Sequence, residues 1–155
     1  MKKVLVALML LVCSTSFASH IVGGEVYYDS LGNDTYKVTF EVYRDCSGSG
    51  FDSPLQYTVF TGAGAQFSTY AIPIPVPDTL PIIYDDPCVT PPTDICIERA
   101  IYIDTIILPA TPDGYRIVYQ RCCWANNIQN ITNPGSWGLT IETNVPGTAL
   151  VGQYD

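Results

Sequence analysis

The sequence predicts an all-β domain, an antiparallel β-sandwich with immunoglobulin-like or Greek-key connections and roughly six to eight strands. Several short segments alternate apolar and polar residues at a period of two, which is typical of half-buried strands. Twelve glycines, twelve prolines and eleven tyrosines suit strands that are joined by tight turns. After the N-terminal segment, no window of about eleven residues carries an apolar stripe at the helical period, so we expect almost no helix.

The clearest strand covers residues 36–43, where Tyr, Val, Phe and Val occupy alternate positions with Lys, Thr and Glu between them. Residues 21–29 are expected to pair with this strand through a turn at 30–34. Further strands are expected, in chain order, at residues 55–61, 66–72, 97–108, 115–122, 137–143 and 145–154. Strands of this number and length, with Gly and Pro turns between them, favour a sandwich of two sheets.

Five prolines between residues 73 and 87 exclude a regular central strand or helix there, because proline lacks a backbone donor. We therefore expect residues 72–95 to form a loop that is presented for contact. Asp85 and Asp86 in this loop form a candidate calcium site with backbone carbonyls, but the EF-hand pattern is missing. No other cofactor is predicted.

Residues 1–18 have the layout of a secretory signal peptide. Two lysines precede nine consecutive apolar residues, and Ser16 and Ala18 supply the small side chains of a cleavage site. The apolar run is too short to cross a bilayer, and we expect no transmembrane segment elsewhere. The sequence thus predicts export to the extracellular space or the outer cell surface, with a single domain over residues 19–155.

The charge of the chain narrows the choice of partners. The formal net charge is −8, and loss of Lys2 and Lys3 with the signal peptide leaves five basic against fifteen acidic side chains. Such a chain is repelled by nucleic acid phosphates and by anionic membrane surfaces. We expect a protein or a glycan at the cell surface as the partner, and no nucleic acid.

Five cysteines follow the signal peptide: Cys46, Cys88, Cys96, Cys122 and Cys123. They suit disulfides in an oxidising compartment, with one thiol left over. A trans peptide places neighbouring Cα atoms ~3.8 Å apart, short of the usual disulfide range of ~4.4–6.8 Å. We therefore expect Cys122 and Cys123 to bond to other cysteines, with Cys46 a candidate partner for one of them. Cys88 and Cys96 are candidates to close the proline-rich loop. A zinc site is disfavoured because no CxxC pair or nearby histidine is present.

Little in the sequence points to catalysis, and we predict that the protein is not an enzyme. His20 is the sole histidine and lies at the expected mature terminus, where a general base would be poorly positioned. The Ile-Val-Gly-Gly segment that follows resembles the start of trypsin-like proteases, but the motif around a nucleophilic serine is missing. Four glutamates lie on separate predicted strands and are expected to face solvent: Glu25, Glu41, Glu98 and Glu142.

Four segments carry a resemblance to a known group: SHIVGGEV at 19–26, YKVT at 36–39, VYRDC at 42–46 and RCCWANNI at 121–128. Together they resemble the N-terminal module of large secreted proteins of Bacteroidetes-type bacteria. Those proteins often carry PKD-like or Ig-like repeats and end in a gliding-motility-associated, type IX secretion sorting domain. Trp124 stands where their RCCRN element has arginine. The resemblance leaves open that Asp155 is a domain boundary in a longer protein.

The resemblance implies a surface module with a structural, adhesive or recognition role and no established catalysis. Three Asp-Ser/Thr-apolar tripeptides resemble the O-glycosylation signal of such bacteria. Ser30 and Thr79 are the candidate acceptors, and Thr105, in a predicted strand, is expected to be the least accessible.

We accordingly expect a secreted or cell-surface, non-catalytic structural or adhesion module that presents strand faces and the proline-rich loop. The alternative is a carbohydrate-binding module that uses exposed aromatic side chains, either outward-facing tyrosines such as Tyr43 or Trp124.

Overall fold

The computed structural model describes residues 21–81, 88, 95–126 and 128–148. This part of the chain is all-β and contains eight strands: β1 Ile21–Gly32, β2 Thr35–Asp45, β3 Leu55–Thr61, β4 Gln66–Ile72, β5 Asp78–Thr79, β6 Ile97–Ile107, β7 Tyr115–Cys122 and β8 Gly138–Val145. A short 3-10 turn, Pro134–Ser136, is the only helical segment among these residues. The predicted fold class is confirmed.

The strands form two antiparallel sheets that pack face to face. The first sheet has the order β1-β2-β6-β5, and the second has the order β4-β3-β7-β8. Named in chain order, these are the A-B-E-D and C′-C-F-G orders of an immunoglobulin-like sandwich. The hydroxyl of Tyr115, at the start of β7, donates to the carbonyl of Pro109 at 2.7 Å, which is the tyrosine corner of such folds.

The core lies between the sheets and is built from alternate residues of facing strands. Its largest fully buried side chains are Tyr57, Tyr102, Tyr119, Phe40, Ile21, Leu55, Leu108 and Ile117. Three of these are tyrosines, whose hydroxyls need partners once water is excluded. Tyr57 donates to the carboxylate of Asp104 at 2.9 Å, so Asp104 points inward from β6.

The bounds of β3, β4 and β7 match the predicted strands, because period-two alternation and flanking turn residues are local signals. The strand predicted at 137–143 begins at Gly138 and continues to Val145. Of the strand predicted at 145–154, residue 145 ends β8, residues 146–148 are not strand, and residues 149–154 lie outside the described residues. The proline-rich segment contributes only β5, two residues at the edge of the first sheet, where missing donors are tolerated.

The disulfide pairing differs from both pairing expectations. Cys46 bonds to Cys96, because β2 and β6 are neighbours and their register brings the end of one beside the start of the other. Cys88 and Cys96 therefore do not close the proline-rich loop. Cys122 and Cys123 bond to each other, and the expectation that they bond elsewhere is wrong. That expectation assumed a trans peptide, whereas the peptide between them is cis.

The signal peptide, His20 and the candidate calcium ligands Asp85 and Asp86 lie outside the described residues. Within the described part, the chain has no helix of the length and apolarity needed to cross a bilayer.

Candidate functional site

The first sheet presents a broad outer face, which we define as the side of β1, β2, β6 and β5 that points away from the core. Strand register arranges its side chains in rows. One row contains Tyr27, Thr39 and Ile103, and the next contains Glu25, Glu41 and Ile101. Since β1, β2 and β6 are each eleven or twelve residues long, this face is the longest flat surface of the described domain.

Glu41 is the centre of a polar network on this face. Its carboxylate accepts hydrogen bonds from Tyr27 at 3.2 Å and from Tyr43 at 3.0 Å. Arg99 lies 3.6 Å from the same carboxylate and 3.5 Å from Asp78 on β5. Glu41 points outward as predicted, but its side chain is only 14% exposed, so its carboxylate is largely shielded from solvent.

The electrostatics of this face are acidic. Glu25 lies directly opposite Glu41 across β1 and β2, and like charges in that position repel each other. Partial burial, followed by the hydrogen bond to Glu41, raises the pKa of Tyr27 and of Tyr43, so both hydroxyls stay protonated donors. Arg99 offsets only part of the negative charge of Glu25, Glu41 and Asp78. Lys37 on the same face is paired with Asp29. The outer face of the first sheet therefore suits a positively charged partner.

Apolar side chains adjoin the Glu41 network. Tyr27 and Ile103, in the row next to Glu41, are 42% and 56% exposed. Ile107 is 64% exposed on the same face but lies opposite Thr35, six positions from Glu41. Thr39 lies between Tyr27 and Ile103 in the register and is buried although it points outward. The neighbouring side chains therefore already exclude water from the centre of this face. A centre that is closed to water and lies beside tyrosine and arginine is typical of protein contact surfaces.

The loop between β2 and β3 is fastened at one end of the sandwich. Arg121 contacts the carboxylate of Asp52 at 2.6 Å and donates to the carbonyl of Gly50 at 3.0 Å. Tyr119 donates to the same carboxylate at 2.7 Å, and Tyr102 donates to the Asp52 carbonyl at 2.7 Å. Burial, with the nearby charge of Asp52, raises the pKa of Tyr102 to about 12. Asp52 thus links the loop to strands of both sheets.

A second arginine stabilises the same loop from the other sheet. The guanidinium of Arg44 donates to the carbonyls of Gly48 at 2.9 Å and Ser49 at 3.1 Å, and it lies over the ring of Phe51. Arg44 also forms an ion pair with Glu98. The Cys46–Cys96 disulfide attaches the first residue of this loop to the residue that precedes β6. The loop is therefore held by contacts from β2, β6 and β7.

The structure separates the two tryptophans. Trp124 is half-buried, packs against the core and donates to the carbonyl of Gly138 at 3.2 Å, so the expectation of an exposed ring there is wrong. The exposed tryptophan is Trp137, at 61%, whose indole donates to the carbonyl of Thr132 at 3.1 Å. Both residues lie at the ends of the β7–β8 loop, where no periodic pattern indicates which ring is buried.

The candidate glycosylation residues are all accessible. Ser30 on β1 and Thr79 on β5 are exposed. Thr105 is exposed as well, because it projects from the outer face while Asp104 points inward. Accessibility permits modification, and modification itself stays a prediction.

The four glutamates do not converge on one site. Glu98 pairs with Arg44, and Glu142 lies 3.9 Å from Arg116 on the second sheet, far from the Glu41 network. Among the described residues, no group of three or more His, Cys, Asp or Glu side chains is arranged to bind a metal ion.

Comparison with models of known protein families, with curated proteins and with solved structures found no match to this chain. The resemblance to the bacterial surface module therefore stays a prediction. The function has to be argued from the geometry of the domain itself.

Proposed function

We propose that the chain is a non-catalytic adhesion or structural module of the cell surface that binds a protein partner through the outer face of the first sheet. The observation that carries this proposal is the placement of exposed Tyr27 and Ile103 in the row next to the Glu41 network on one face. Exposed apolar groups that are grouped on one face, with polar groups at their border, mark contact surfaces.

The chemistry of this face suits a preorganised contact. Tyr27 and Tyr43 are oriented by their hydrogen bonds to Glu41 before any partner arrives, which lowers the entropy lost on binding. Tyrosine and arginine are the side chains most often found at energetic centres of interfaces. Because Glu25, Glu41 and Asp78 outnumber Arg99 here, the partner is expected to carry a basic patch.

The cell-surface setting rests on the sequence. The signal-peptide pattern at 1–18 and the disulfide Cys46–Cys96 both suit an oxidising, extracytoplasmic compartment. The resemblance to secreted Bacteroidetes-type modules supports the same setting and a type IX secretion route. The accessible Ser30 and Thr79 suit O-glycosylation there.

The second candidate is a carbohydrate-binding module. The ring of Trp124 is half-buried and packs against the core, so this candidate is argued from another surface. The observation that favours it is a nearly uncharged groove on the outer side of the second sheet, in a chain with net charge −8.

Bead attachment tests the adhesion proposal. Beads coated with the mature domain should attach to cells of the source organism, and the double variant Tyr27→Ala, Ile103→Ser should reduce attachment by roughly tenfold, since interface centres dominate affinity. Phe67→Ala is the matched control, because Phe67 is also 42% exposed but lies on the second sheet. Equal attachment by all three proteins would refute the proposed face. Turnover of peptide or polysaccharide substrates would refute the non-catalytic role.

A further inference from the structure

We propose that the outer side of the second sheet binds an uncharged polysaccharide laid across β3, β7 and β8. Two shallow grooves of about 280 and 450 Å³ adjoin there and share Gln120. This inference rests on the second candidate function and assigns it to a surface, which we call the neutral groove. Its lining side chains include Gln56, Thr58, Phe60, Thr69, Gln120 and Thr140.

The neutral groove carries the functional groups that sugars recognise. Gln and Thr side chains each offer both donors and acceptors, as sugar hydroxyls do. Arg121 is the only charged residue among those lining the groove, and its guanidinium turns away to form the ion pair with Asp52. A chain this acidic that leaves the row of Gln56, Gln120 and Thr140 uncharged presents a surface for a neutral polar ligand there and repels an anionic one.

Strand register places the polar groups of the groove in rows across the sheet. Gln120 lies opposite Thr140, and its amide donates to the threonine hydroxyl at 3.3 Å. Thr58 lies opposite Thr69, with their hydroxyls 3.3 Å apart. These bonds are long and solvent-exposed, so exchanging them for bonds to a ligand costs little. They nevertheless orient the side chains on rigid strands, which favours specific binding.

Apolar groups form part of the floor of the neutral groove, and a charged pair marks one end. Val118 is nearly buried between the polar rows, and the half-buried ring of Phe60 lies beside it. The C–H faces of a sugar ring can pack on such groups. Directly beside them, Arg116 covers the Phe60 ring and lies 3.9 Å from Glu142, which is the partner of Val118 on β8. The polysaccharide is therefore expected to cross the strands on the side of Gln120, away from this pair.

Affinity gel electrophoresis tests the neutral groove. Gels would contain a soluble β-glucan, a galactomannan or an arabinoxylan, with polygalacturonate as the anionic contrast. Wild-type protein should be retarded by at least one neutral polysaccharide and not by polygalacturonate. Gln120→Ala and Thr58→Val should each weaken that retardation roughly tenfold, since each removes a hydrogen-bonding group from the groove. Thr105→Val, at an exposed threonine of the first sheet, should retain wild-type retardation.

The outcomes separate this inference from the functions on which it rests. If Gln120→Ala and Thr58→Val are retarded as strongly as the wild-type protein, the neutral groove is not the binding site, although carbohydrate binding itself stands. Retardation by none of the neutral polysaccharides, or by polygalacturonate alone, would overturn both the neutral groove and the carbohydrate-binding candidate. The bead assay with the Tyr27→Ala, Ile103→Ser variant would still test adhesion separately. Thermal unfolding of each variant checks the fold, and Thr140→Val replaces Gln120→Ala should that variant unfold early.

Discussion

Substitution of Asp52 by alanine should destabilise the protein far more than substitution of a typical surface aspartate. Asp52→Ala removes the ion pair to Arg121 at 2.6 Å and the acceptor of the buried Tyr119 hydroxyl at 2.7 Å. Hydrogen bonds to charged groups contribute about 1.5–3 kcal/mol each, and the partial exposure of Asp52 lowers that contribution. We expect the free energy of unfolding to fall by roughly 3 kcal/mol in urea titrations.

Asp29→Ala is the matched control for this prediction. Asp29 pairs with Lys37 at 2.6 Å, but both side chains are about half exposed, so its loss should change stability by less than about 1 kcal/mol. Tyr119→Phe should destabilise the wild-type protein and have little effect in the Asp52→Ala background, because the two groups are coupled. A loss for Asp52→Ala as small as that for Asp29→Ala would refute the reasoning that this carboxylate fastens the loop to both sheets.

Three further predictions concern stability. The raised pKa of Tyr102, about 12 against 10.0, means that the unfolded chain loses this proton first as the pH rises. The free energy of unfolding should thus be constant below about pH 9 and fall between pH 10 and 12 by roughly 2–3 kcal/mol from this residue. Urea midpoints across that range measure the fall, and Tyr102→Phe should lessen it; an equally steep fall in the variant would contradict the assignment. Replacing Cys46 and Cys96 by serine removes a disulfide between residues with a sequence separation of 50. The free energy of unfolding should fall by about 4 kcal/mol, which calorimetry would measure. An unchanged melting temperature would count against that link. Gly114→Ala should lower the melting temperature well beyond Gly64→Ala: both have positive φ, but a Cβ at Gly114 would lie 2.1 Å from the Val145 carbonyl, whereas nothing lies within 4 Å at Gly64. Equal shifts would disprove the steric argument.

The fold was predictable because its signals are local. Alternation along 36–43 indicates which residues of β2 face the core, and the turn after residue 61 separates β3 from β4. The outward orientation of Glu41 followed from the same alternation. The polar network around Glu41 could not be predicted in the same way. Tyr27 lies on a different strand from Glu41, and Arg99 lies on a third strand, 58 residues after Glu41 in the chain.

The sequence by itself determined the elements of this protein: the strands, their inward faces, the proline-rich interruption and the acidic charge. These depend on residue spacing and backbone chemistry within a few positions. Only the tertiary structure decided that Cys46 bonds to Cys96, that Trp124 is half-buried while Trp137 is exposed, and that Gln120 lies beside the threonines of the neutral groove. The physical reason is that strand order within a sheet sets these neighbours, and strand order depends on contacts between residues far apart in the chain.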